Sequence, residues 1–226
     1  MRYAALTHPT QRLGFIKSTI LSLMDTSLTA EALQSTAELD HTHGKHPDNR
    51  MFGFIIFLLS ESMVFLGFFG GYIALKLTTA DWLPPGVEGL DVFKPAINTF
   101  VLVSSSFVIY FGELALERNK LNLFRFFLFA TAAMGTYFLV GQAIEWNSLS
   151  FGLTTGLFGG TFYLLTGFHG LHVLVGVLLQ LGVLLRSFTP KHATPENHYG
   201  FASTSLFWHF VDVIWLILFS LIYLWQ

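Results

Sequence analysis

Five ionisable side chains stand inside long apolar runs. His169 and His172 lie three apart in Gly156 to Arg186, GLFGGTFYLLTGFHGLHVLVGVLLQLGVLLR, where no charged residue precedes the final arginine. His209 and Asp212 lie three apart in WHFVDVIW, and Glu61 sits mid-way along LLSESMVFLGFFGGY. On a helix, a spacing of three places both groups on one face. At hydrocarbon depth a charged carboxylate costs about 2.5–3.5 kcal/mol on insertion scales, so such groups face protein or water rather than lipid. Glu61 must therefore be neutral, paired or in contact with water. Glu113 and Glu145 lie close to the ends of their apolar runs, where water can solvate them.

Three kinds of chemistry fit these residues. Histidines on facing helices at matched height can ligate haem, as in membrane cytochromes, and His169 with His209 is the available combination. The glycines around His169 favour close helix packing over a haem-sized gap. A chain of Glu, His and Asp through a bundle is also typical of a path for protons or solute. The third use is structural: buried polar groups satisfy one another across helix interfaces and fix register. No P-loop, Ser-His-Asp ordering or glycine-rich nucleotide turn is present, so catalysis of the soluble kind has no support.

The elements that must position these residues follow from composition. Of 226 residues, 53% are hydrophobic and 12% charged, and mean hydropathy is +0.58. Soluble domains carry about 25% charge, so half that value marks an integral membrane protein. A net charge of −2 gives no reason to expect a nucleic-acid partner. The absence of cysteine excludes disulfides, thiolate metal sites and thiol nucleophiles.

About 20 apolar residues cross a bilayer, and five stretches qualify, at about 51–75, 96–115, 123–143, 157–185 and 203–225. Mostly short connections predict an all-α, up-down bundle of five transmembrane helices spanning 49–226. The first loop, with Pro84-Pro85-Gly86, reads as an irregular turn. Seven cations near span ends lie on the side of the N-terminus (Lys45, Arg50, Arg118, Lys120, Arg125, Arg186 and Lys191), against Lys76 and Lys94 on the other. That asymmetry predicts a cytoplasmic N-terminus. Gly152, Gly156 and Gly160, and likewise Gly67 and Gly71, recur at a spacing of four that lets helices approach closely.

Residues 1–48 read as a polar, flexible arm. Leu13 to Leu23 is too short to span, carries Lys17, and lacks the apolar core and cleavage site of a signal peptide. Met24 offers an alternative start. His41, His43 and His46 have the look of a metal tract, but their polar setting reads as a solvated arm.

Several segments in order carry a family resemblance: SES-x-VFLGFFGGY around Glu61, Ile97-Asn98-Thr99, Gln142-Ala-x-Glu145, GGTFYLLTGFHGLHVLVG, Asn197-His198-Tyr199-Gly200-Phe201 and WHFVDVIWLILF. From about Arg50 to its C-terminus the chain resembles subunit III of the haem–copper respiratory oxidases. The resemblance implies a non-catalytic accessory subunit, with no haem or copper of its own. Haem and copper would reside in subunit I and further copper in subunit II, both of which it would contact. Its implied role is to stabilise subunit I, support proton uptake and bind lipid, in a complex that reduces oxygen to water and pumps protons. Glu61 matches the family's buried carboxylate, and Arg186 matches an arginine that holds a phospholipid headgroup. A cation at the end of a helix suits both the lipid phosphate and the helix dipole.

Many family members have seven spans. The five-span form resembles bacterial cytochrome c and quinol oxidases, so lipid sites that need the missing pair are not expected. Ser60-Glu61 is more similar to the cytochrome c group. The resemblance leads to the expectation of subunit III of a bacterial aa3-type cytochrome c oxidase, multi-pass in the plasma (inner) membrane or an internal energy-transducing membrane. Glu61 would pair with His209 or His172, with His169 and Asp212 in the shell of that cluster or at the interface with subunit I. The alternatives are a quinol oxidase subunit, a homologue associated with nitric oxide reductase, and, from another class, a proton-linked transporter.

Overall fold

The computed structural model describes residues 49–84, 86, 89–189 and 199–225. The polar stretch 1–48, with Met24 and the His41-His43-His46 tract, lies outside the described residues. Among the described residues, five helices are long and apolar enough to cross a membrane: α1 (Asn49–Thr78), α2 (Phe93–Glu117), α3 (Leu121–Ser148), α4 (Gly156–Arg186) and α5 (Tyr199–Phe219), the last continuing to Leu224. The shortest has 25 residues, about 38 Å at 1.5 Å per residue, which exceeds the hydrocarbon thickness. The first three helices run two to five residues past the apolar stretches read from sequence, whereas α4 matches its stretch to within one residue at each end and the fifth starts four residues earlier and ends at Leu224.

Contacts along the helices show that they alternate in direction. The Tyr199 hydroxyl donates to the Arg50 carbonyl at one end, and Lys76 donates to the Trp225 carbonyl at the other. These contacts make α1 and α5 parallel. Trp215 pairs with Thr99 and Trp208 with Ser105, so α2 runs against α5. The end at which α1 begins is called the near side below, and the opposite end the far side.

α5 is the centre of the bundle. Half of its most apolar window is buried, against 17% for α1. Its buried residues Phe201, Trp208, Trp215 and Ile222 recur every seven positions, the seam of a left-handed helix contact. Trp208 touches three neighbouring helices. Its indole Nε1 donates to Ser105 Oγ of α2 at 2.8 Å. A Cβ at Gly176 of α4 would lie 2.7 Å from Trp208 Cε3, and one at Gly135 of α3 would collide with Trp208 Cη2. Both positions therefore require glycine, and this close approach lets a tryptophan fit between antiparallel helices. Two turns further along the seam, Trp215 donates to Thr99 Oγ1 at 2.8 Å and lies edge-on to Phe138, 4.7 Å between centroids.

The connections have local causes. Asn119 takes a positive φ of 57° after α2, and Lys120 N–H reaches back to Ala115 O. Asn is one of the few residues that adopts this left-handed cap readily. Gly156 has φ of 67° at the start of α4. One turn later, Gly159 leaves room for the Gly152 carbonyl, which a Cβ would displace. The first loop folds back over the far end: Trp82 packs edge-on against Tyr72 and Phe158, at 5.3 and 5.7 Å.

α1 packs differently. Its bulky residues reach the rest of the bundle: Phe65 contacts Phe168 and Phe210, and Phe68 contacts Phe168. Gly67 and Gly71, expected at a close helix contact, have nothing within 4 Å of a would-be Cβ. That expectation is corrected. The intimate glycine contacts belong to α3 and α4, where the tryptophan sits, and not to the peripheral helix.

The Trp208 arrangement yields a graded prediction. Gly176→Leu should prevent stable folding or lower stability by about 1–3 kcal/mol or more through overpacking. Ser105→Ala strands the buried Trp208 N–H, which should cost about 1–3 kcal/mol but leave a folded chain. Thermal unfolding of the purified chain in mild detergent distinguishes the two; equal effects would refute the wedge.

Candidate functional site

Three separate groups gather Glu61 with His172, His209 with Asp212, and Glu145 with Tyr223. In the first, α1 brings Glu61 to α4: Oε2 lies 3.2 Å from His172 Nε2. Phe65 and Phe168 close around the imidazole, with ring centroids at 5.0 and 4.7 Å. His172 Nδ1 is 2.8 Å from the Phe168 carbonyl one turn back. A carbonyl only accepts, so Nδ1 carries a proton. Nε2 then either accepts a proton-bearing Glu61 oxygen or carries its own proton toward the carboxylate. Both forms leave the pair neutral overall, which a low-dielectric setting requires.

In the second group, Ser106 of α2 links two residues of α5. Its hydroxyl donates to Asp212 Oδ2 and lies 3.0 Å from His209 Nδ1. With that hydroxyl proton committed, His209 donates Nδ1–H to Ser106, and the donors run in order from His209 through Ser106 to Asp212. His209 thus belongs to the α2–α5 seam, and the expected pairing with Glu61 is made by His172 instead. His169 joins neither group. It is fully buried, 4.7 Å from the Trp215 ring, and its Nε2 lies 3.3 Å from the Val211 carbonyl. Nε2 thus faces α5 backbone, while Nδ1 is enclosed without a partner among the described residues.

The third group, at the far side, was not legible in the residues. Glu145 is buried rather than solvated. Its Oε1 accepts from the Tyr223 hydroxyl at 2.8 Å, and its Oε2 accepts from Gln142 at 3.1 Å. A widened π-helical turn, Ser220–Leu224, closes with Trp225 N–H on Ser220 O. The added residue in that turn lets both Ile222 and Tyr223 point inward. A polar cavity of about 330 Å³ beside Glu145 is lined by Asp91, Lys94 and Ser148 as well.

At the near side, Arg186 is exposed at the end of α4. The neighbouring cation Arg125 is held: Nη2 donates to Ser187 O at 2.6 Å, Nε donates to Ser187 Oγ at 3.1 Å, and the guanidinium lies over Phe188. Arg125 therefore clamps α3 to the end of α4, while Arg186 projects from it. Among the described residues, no three His, Asp or Glu side chains converge as a metal site.

The comparisons with known proteins decide the family. The sequence profile of "Cytochrome c oxidase subunit III" matches residues 8–226. The chain belongs to the cytochrome c oxidase subunit III family. It is 46% identical to cytochrome c oxidase subunit 3 of Thermostichus vulcanus over 196 residues, 87% of this chain and 96% of that one. Identity to the Synechocystis sp. protein of the same name is 44% over 211 residues, covering 92% and 91%. The Mus musculus protein is 38% identical over 180 residues, 77% of this chain and 69% of that one.

For this subunit III chain, the geometry makes the polar groups interhelical ties: α1 to α4, α2 to α5, and α3 to α5. Sequence reading found Glu61, His172, His209 and Asp212 because ionisable groups stand out in apolar runs. It missed Ser106 and Ser105, and the pairing of Thr99 with Trp215, since a hydroxyl in a transmembrane helix does not stand out until its partner is known.

The first tie gives a testable contrast. Glu61→Gln keeps a donor for His172 Nε2 and should stay within about 1 kcal/mol of the parent, whereas Glu61→Leu strands the ring nitrogen and should cost about 1–3 kcal/mol. Unfolding in detergent measures both. A Gln variant as damaged as the Leu variant would contradict the shared-proton pair.

Proposed function

We propose that this chain is the accessory, non-catalytic subunit of an aa3-type cytochrome c oxidase, a complex that reduces oxygen to water and pumps protons. One observation carries the reading: the family match extends over nearly the whole chain, and the relatives it covers almost end to end carry that subunit's name. The haems and copper then reside in subunits I and II. This chain contributes a stable five-helix body against which subunit I is held, and it supports proton uptake. The internal ties favour this role, because the Glu61, Asp212 and Glu145 carboxylates are each engaged by neighbours in this chain.

Arg186 is proposed to hold a phospholipid headgroup. It is exposed at the last residue of a 31-residue span, the depth at which a phosphate lies, and it has no protein partner among the described residues. The cation asymmetry supports a near side facing the cytoplasm, in a bacterial plasma membrane or an internal energy-transducing membrane.

Two measurements test this function. A reduced-minus-oxidised visible spectrum of the affinity-purified complex should show haem that leaves with the partners when they are stripped away; haem retained by the isolated chain would overturn the accessory reading. In the intact complex, Glu61→Gln should assemble and keep most of the initial rate of oxygen reduction. Complete loss of assembly would show that the carboxylate itself is required.

A further inference from the structure

The cations at the helix ends fall into two kinds. Lys76 donates to the Trp225 carbonyl and lies over its ring. Lys94 lines the cavity beside Glu145, and Arg125 is clamped to Ser187 and Phe188. Arg118 and Lys120, at the near-side corner between α2 and α3, are different. Both are exposed, and neither side chain has a partner among the described residues.

The turn that carries them is fixed by its own backbone. Arg118 N–H donates to Leu114 O, Asn119 N–H to Leu116 O and Lys120 N–H to Ala115 O, with Asn119 in the left-handed region. Beside this turn lies a groove of about 150 Å³, lined by Arg118, Lys120, Phe111, Leu114 and Ala115 on one side and by Leu123 and Phe127 of α3 on the other. The Phe111 and Phe127 rings are 6.0 Å apart. Phe111 and Leu123 are 49% and 41% exposed, so the apolar lining is open to an occupant. Glu117, on the same turn, is exposed but does not line the groove, and neither does Arg186.

Two cations without counter-charges thus border an apolar trough at the end of the spans, where headgroups lie. A phosphodiester between them would satisfy both, the guanidinium through paired N–H donors and the ammonium as a point charge. An acyl chain of the same molecule would cover the trough. A free anion answers only the cations, and an uncharged tail only the trough. We propose that the α2–α3 corner binds one anionic phospholipid, its phosphate held by Arg118 and Lys120 and one acyl chain laid over Phe111, Leu123 and Phe127. A zwitterionic headgroup fits less well, because its ammonium would face the same two cations. The site is separate from Arg186 and rests on the membrane-spanning body, not on the oxidase assignment.

The test uses phosphatidylglycerol with a diazirine in one acyl chain, and the phosphatidylcholine probe with the same chain. Each is added to native membranes holding the full chain. After irradiation the chain is affinity-purified and its labelled residues are located by mass spectrometry. The phosphatidylglycerol probe should label Phe111, Leu123 or Phe127. The double variant Arg118→Gln/Lys120→Gln should lower that labelling about tenfold, the weight of two juxtamembrane cations, while Arg186→Gln leaves it unchanged. Both replaced side chains are exposed, so thermal unfolding of the double variant in mild detergent should match the parent. Equal labelling by the phosphatidylcholine probe, or undiminished labelling of the double variant, would overturn the site. Inorganic phosphate that displaces the probe as well as unlabelled phosphatidylglycerol does would show a plain anion site and overturn the lipid. Absence of label, with Lys120 joined to another protein by an amine-reactive cross-linker, would show that protein covers the groove and would equally overturn it.

Discussion

A polar atom inside a bilayer cannot fall back on water, and the pairing of tryptophan N–H groups with hydroxyls on α2 answers that constraint at the bundle's centre. Trp208 and Trp215 place large aromatic volume on one seam of α5, and each carries a donor that must be satisfied. Ser105 and Thr99 accept them, fixing the height of α2 against α5. Gly135 and Gly176 then make room for the Trp208 ring, fixing α3 and α4 around the same residue. Much of the remaining architecture, including the positions of His169 and Asp212, follows from that registration.

The pairing constraint also separates the helices by role. α2 to α5 close around the tryptophan seam, while α1 lies against α4 and α5 through aromatic contacts and the Glu61–His172 pair. A peripheral helix tied at mid-span by one polar pair, and at its ends by the Tyr199–Arg50 and Lys76–Trp225 contacts, keeps most of its own surface available, including Gly67, Gly70 and Gly71, which no described residue covers.

The fold was largely legible in the sequence, because five apolar runs with few charges leave little freedom in a membrane. The family was legible too, through FHGLHV and WHFVDV. The pairings were less so. Glu61 had two candidate partners at comparable depth, and only the rotation of α1, set by Phe65 against Phe168 and Phe210, chooses His172. Glu145 looked like a solvated end residue; the widened turn at Ser220–Leu224 is invisible to a periodicity argument and carries Tyr223 to it. Glycine spacing misled in α1, since the same pattern arises whether a helix packs within its own chain or is open to its surroundings.

The central claim is that Glu61, His172, His209, Asp212 and Glu145 tie the helices of this chain to one another. A cryo-electron microscopy map of the intact oxidase at side-chain resolution tests it most directly. The account predicts Trp208 seated between Gly135 and Gly176, His172 against Glu61, His209 against Ser106, and every haem within partner subunits. Haem density bridging His169 or His209 to an iron within this chain, with the Trp215 and Val211 contacts broken, would contradict it.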